Sequence, residues 1–112
     1  MNSVNLIGRL TRDPERRVIP NKGTEVSVMR LAVERQGDGA DYVTVTAFGK
    51  LAQSCNQYLA QGRQVAIVGR LNHSEWVKDG QRRERLEVAA AAVEFLGQRP
   101  AQPASEPMEV AA

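Results

Sequence analysis

This chain of 112 residues is poor in the side chains that usually carry chemistry: it has one cysteine, Cys55, and one histidine, His73. A lone thiol forms no internal disulfide, which suits a reducing compartment. One thiol and one imidazole make no credible metal site, and no cofactor is expected. No Ser/His/Asp set, paired carboxylates or phosphate-cradling glycine loop can be assembled either, so an enzyme is not expected. Nothing approaches the roughly 20 consecutive apolar residues that span a bilayer. The opening Met1-Asn2-Ser3-Val4 lacks the basic-then-apolar pattern of a secretory signal, which predicts a cytoplasmic protein. Lysine is sparse as well. Only Lys22, Lys50 and Lys78 stand among 15 basic residues, and the net charge is +2, so any pull on an anionic partner must come from local arginine clusters.

What is present is one conspicuous strand, Asp41 to Phe48. Val43, Val45 and Ala47 share one face; Tyr42, Thr44, Thr46 and Phe48 share the other, with Lys50 two positions beyond. A flat aromatic face edged by a cation suits stacking on unpaired bases. The same alternation also fits Tyr42 and Phe48 in the core with the valines against a second layer, and the strand alone leaves both open.

The other elements surround it. Ser3 to Thr11 reads as a strand with Val4, Leu6 and Leu10 on one face, Gly8 between them, and Arg9 opposite. Asp13-Pro14-Glu15 and Pro20-Asn21-Lys22-Gly23 are turns around the short extended piece Arg16 to Ile19. Glu25 to Arg35 is a second long strand, joined through a glycine-rich loop to the aromatic one. Leu51, Cys55 and Leu59 then recur at helical spacing, with Gly62 where a C-cap belongs. Cys55 falls mid-stripe, as a small buried hydrophobe. A fourth strand from Gln64 to Asn72 directs Val65, Ile67 and Leu71 inward and Arg70 outward, then runs on as a ribbon through His73, a solvent-facing polar residue. Asp79-Gly80 marks a tight hairpin, and Arg82, Arg83 and Arg85 return along it. The only tryptophan, Trp76, lies near the tip amid charge, which fits an exposed ligand contact, or alternatively a packing role under the loop. Leu86 to Leu96 completes the strands despite its alanine run, Ala89 to Ala92, which intrinsically favours helix. Residues 98–112, with Pro100, Pro103 and Pro107, read as a disordered tail after a domain of residues 1–97. The length suits one domain with a core and is too short for two.

Three strands, a helix and two strands, with glycines in the first and fourth, is the order of an OB-fold, a five-stranded Greek-key barrel whose short helix joins strands three and four. Asn5-Leu6-Ile7-Gly8-Arg9-Leu10, Leu31-Ala32-Val33, Ala47-Phe48-Gly49-Lys50-Leu51-Ala52, Tyr58-Leu59-Ala60-Gln61-Gly62 and Val65-Ala66-Ile67-Val68-Gly69-Arg70-Leu71 resemble the bacterial single-stranded DNA-binding protein family. Trp76 ahead of Asp79-Gly80 does too, and the resemblance runs to about residue 97. It implies a nucleoid-associated homotetramer that wraps single-stranded DNA without sequence preference, in replication, repair or recombination. It also implies base stacking by Tyr42, Phe48 and Trp76, with Lys50 and Arg17 on the backbone, and so favours the aromatic face as the binding face. The arginines Arg9, Arg70, Arg82 and Arg83 are further DNA-contact candidates.

The pattern departs from the family at three places. Tyr42 stands where a tryptophan or phenylalanine is often found, a mild change. Glu34-Arg35-Gln36-Gly37 stands where a second tryptophan is common, so either Arg35 stacks in its stead or binding per site is weaker. The sequence ends Glu106-Pro107-Met108-Glu109-Val110-Ala111-Ala112, without the acidic Pro-Phe tip that recruits replication and repair enzymes, which counts against such recruitment. These departures leave a second function to weigh: a primosome-type accessory protein acting mainly through protein partners.

Overall fold

A computed structural model describes residues 1–97. Its strands are β1 (Val4–Leu10), β2 (Glu15–Val18), β3 (Glu25–Glu34), β4 (Ala40–Phe48), β5 (Gln64–Lys78) and β6 (Gln81–Leu96), with one helix, α1 (Gly49–Tyr58), between β4 and β5. They form one sheet in the order β1-β5-β6-β4-β3-β2, and an additional β1–β3 pairing closes it into the barrel expected of an OB-fold. The closing contact is short, Arg9 opposite Ala32 and Leu10 opposite Leu31. The short extended piece of the sequence is β2, an outer strip on β3 that makes six strands of the expected five. The proposed tail lies outside the described residues.

Closure depends on two places without a side chain. A Cβ on Gly8 would stand 2.7 Å from the Ala32 carbonyl oxygen, and one on Gly69 2.2 Å from that of Ala89. At the second place β5 and β6 slip register: Val68 faces Ala92 and Gly69 faces Ala90, leaving Ala91 as the extra residue of a bulge. The alanine run is therefore strand. It lies between β5 and β4, the latter in parallel through Val45–Val88 and Thr46–Ala89, and two rows of partners outweigh helix propensity.

Leu10, Met29, Leu31, Val45, Val65, Ile67 and Val88 fill the barrel, and Ala52 and Cys55 of α1, with Leu59 just after it, plug its end. The helix stops at Tyr58, with Leu59 already extended, so Gly62 is not its cap. Gly62 instead forms the next turn, donating its N–H to the Leu10 carbonyl at 2.8 Å, while Leu10 N–H donates to Arg63 at 3.0 Å. Leu71 keeps its inward side, opposite Val88, yet is 45% exposed, because there β5 and β6 leave the barrel as a free ribbon. Its tip is a two-residue turn with positive φ at both Asp79 (54°) and Gly80 (76°), the twist that tight hairpins require.

Candidate nucleic-acid interface

Residues directly opposite each other in a sheet share a face, so the pairing register traces the outer surface. On β3 and β4 the outward pairs are Val26–Phe48, Val28–Thr46, Arg30–Thr44 and Ala32–Tyr42. Thr46 adjoins Ala89 of β6, which faces Arg70 of β5; further along the ribbon Asn72 faces Glu87, Ser74 faces Arg85, and Trp76 faces Arg83. On the other flank, β2 adds Arg17 beside Val26 and Glu15 beside Val28. Tyr42, Phe48 and Trp76 thus stand on one continuous face, 59%, 50% and 38% exposed. Val45 and Ala47 of the same strand are fully buried, so the valine face is the core and the aromatic face is free.

Two depressions score this face. One, of about 320 Å³, has Val26, Val28 and Thr46 as its floor and Arg17 and Arg85 among its lining residues. The other, of about 550 Å³, is lined by Phe48, Arg70, Asn72 and Ala89 to Ala91. Two aromatics already carry a guanidinium: Arg85 lies 5.5 Å from the Trp76 ring centre and Arg30 lies 5.9 Å from that of Tyr42. Arg17 pairs with Glu15 at 2.9 Å, and this hydrogen bond and its charge hold the Glu15 carboxyl below the usual range. Exposed pairs of this kind contribute little to stability and exchange readily for a phosphate. A concave apolar floor with half-exposed rings and guanidinium groups can stack bases and neutralise a backbone.

Residues 1–96 match the family described as the Single-strand binding protein family. The chain belongs to this family. It is 41% identical over 99 residues to the single-stranded DNA-binding protein of Clostridium perfringens, covering 86% of this chain and 66% of that one. It is 44% identical to the namesake of Clostridium tetani, covering 86% and 70%, and 35% identical to that of Thermotoga maritima, covering 96% and 82%. The chain therefore spans about two thirds of the length of the clostridial relatives. Names of this kind do not favour the accessory-protein alternative. Among the described residues no helix is long and apolar enough to cross a membrane.

Against this family background the remaining candidates divide. Arg70 and Arg83 lie on the aromatic face, and Arg9 lies on the outward side of β1, opposite Ala32, with a guanidinium N–H donated to the Gly62 carbonyl at 3.2 Å. Lys50 is exposed but does not continue the strand alternation: the backbone turns left-handed at Gly49 (φ 69°), where α1 begins, and Lys50 is the helix's second residue. Arg35 lies just beyond β3, its guanidinium paired to Asp41 at 3.2 Å. Arg82 is on the opposite side of the ribbon from Trp76, held by Glu75 at 2.8 Å.

That opposite side also carries His73, which faces solvent as expected. It has a partner, Glu84 at 2.8 Å, and with Glu75 these make the one three-membered group of potential metal ligands among the described residues, all exposed and within 4.8 Å of one another. A residue count misses this convergence because the ligands come from two strands, and Glu75 is also the acceptor for Arg82. Arg30 and Arg85 do not stand among the candidates read from the sequence. The available signal for Arg30 was the one charged residue in the stretch Val26 to Val33.

Proposed function

We propose that this chain binds single-stranded DNA without sequence preference and so protects it in replication, repair or recombination. The observation that carries this is the single continuous face on which Tyr42, Phe48 and Trp76 stand half-exposed between arginines. Bases stack on the three rings, each stack contributing roughly 1–3 kcal/mol. Arg9, Arg17, Arg70, Arg83 and Lys50 meet phosphates, while Arg35 and Arg82 join only by exchanging Asp41 and Glu75 for the backbone. The protein acts by binding alone, without a reaction step. Residues 1–97 form the binding domain and residues 98–112 a tail. We place it in the cytoplasm with the nucleoid, as a homotetramer. Exposed Ile7 on β1 and Val77 and Leu86 on the ribbon are apolar surfaces that such an assembly would cover.

Trp76 is the only tryptophan, so its fluorescence reports one place on the face. Titration with oligo(dT) should quench it, less at high salt because displaced counterions then favour the free state. Phe48→Ala should weaken the complex about tenfold or more. Quenching that is absent at every salt concentration would sink the DNA-binding function.

A further inference from the structure

On the aromatic face Arg30 is the one half-buried arginine among the described residues; Arg9 and Arg85 also have neutral partners but are exposed. Arg17, Arg35 and Arg82 each pair with a carboxylate, and Arg16 pairs with Glu25. Arg30 sits in the middle of β3, half-buried, between Val28 and Ala32 on the outward side, and among the described residues its partners are neutral. One terminal N–H donates to the Thr44 hydroxyl at 3.0 Å, and the guanidinium carbon lies 5.9 Å from the Tyr42 ring centre. Direct stacking would bring the two planes to about 3.5–4 Å. At 5.9 Å the guanidinium is near the ring without lying at stacking distance, and Tyr42 retains its 59% exposure.

A base stacked on Tyr42 would therefore present an edge to Arg30. A guanidinium carries five N–H donors and no acceptor; with one held by Thr44, the others remain for that edge. The base edge that matches a guanidinium with two adjacent acceptors is guanine, through O6 and N7. The hydroxyl fixes the head group before DNA arrives, which lowers the ordering cost of such a contact.

We propose that Arg30, held by Thr44, reads the edge of the base on Tyr42 and gives this otherwise sequence-tolerant face one guanine-preferring subsite. The proposal rests on the DNA-binding function and deepens it.

The test compares Trp76 titrations with oligo(dT), with oligo(dT) carrying isolated dG residues, and with the same oligonucleotide carrying 7-deaza-dG, which lacks the N7 acceptor. Wild type should bind the dG oligonucleotide about fivefold tighter than oligo(dT), and the 7-deaza substitution should remove most of that gain. Arg30→Ala and Arg30→Lys should both abolish the discrimination between the dG and 7-deaza-dG oligonucleotides, whatever they do to oligo(dT) affinity, since an ammonium lacks the planar fork. Three results overturn the proposal: equal wild-type affinity for all three oligonucleotides; an unchanged preference in Arg30→Ala; or a uniform loss in Arg30→Ala with a salt slope shallower by about one, the mark of a phosphate contact. The 7-deaza comparison uses wild type alone, so it decides even if a variant folds poorly. Failure of oligo(dT) to bind wild type at all would be the distinct failure of the function beneath it.

Discussion

Cys55 shows how a single side chain is governed by where it sits. It is fully buried in the stripe by which α1 plugs the barrel, and burial raises its thiol from an ordinary 9.0 to about 11. Between those values the unfolded thiol ionises and the folded one does not. The corresponding share of stability is present below pH 9 and lost as pH rises towards 11. Thermal unfolding followed from pH 8 to 11 should therefore fall more steeply in wild type than in Cys55→Ala; parallel curves would show that the thiol does not feel its burial. The helical spacing of Leu51, Cys55 and Leu59 already pointed to this burial. The neighbouring arginines were harder to read, because Arg82 and Arg83 are adjacent in sequence and opposite in space. Only the pairing of Trp76 with Arg83 and of Val77 with Arg82 separates a residue beside the ring from one tied to Glu75.

At the scale of elements, local chemistry announced the strands well. Period-two alternation located β1, β3, β4 and β5, and Asp79-Gly80 located the hairpin. Boundaries that depend on distant partners were less legible. Gly62 looked like a helix cap and is instead the turn that clips β1, since the Leu10 carbonyl that receives its N–H is far away in sequence. The bulge at Ala91 was hidden inside a run of identical side chains, where a one-residue slip leaves no mark. Its partner Gly69 was visible as a strand glycine, and the Ala89 carbonyl 2.2 Å from its missing Cβ explains it. Backbone, unlike a flexible side chain, yields little. Gly69→Ala should destabilise the domain by roughly 2–3 kcal/mol. A denaturant midpoint equal to wild type would show that the bulge absorbs the methyl group.

Across the whole molecule, the proposed binding face is assembled from strands remote in sequence, with Phe48 on the barrel and Trp76 on the ribbon. The two rings have no contact with each other and no shared partner among the described residues. Their contributions should add. Phe48→Ala and Trp76→Ala together should lose, in log affinity for a long oligo(dT), the sum of the single losses to within about 0.3–0.5 kcal/mol, measured by competition with a labelled oligonucleotide. A double variant no worse than the weaker single one would mean that the two rings act only as a unit, so that losing either forfeits both. The net charge of +2 offers little long-range attraction, so the salt response of binding should follow the arginines on the face rather than the chain as a whole.

The same closure has a bearing on how the chain comes into being. β1 pairs with β5, and β4 finds its parallel neighbour only in β6, the last strand of the barrel. Until β6 has left the ribosome, β4 lacks its parallel neighbour and the barrel has an unpaired edge. Contacts so distant in sequence are slow to form, and unpaired edges in a growing chain are where association with the wrong partner begins. Pausing of translation shortly before Leu86 would hold the nascent chain at its most adhesive.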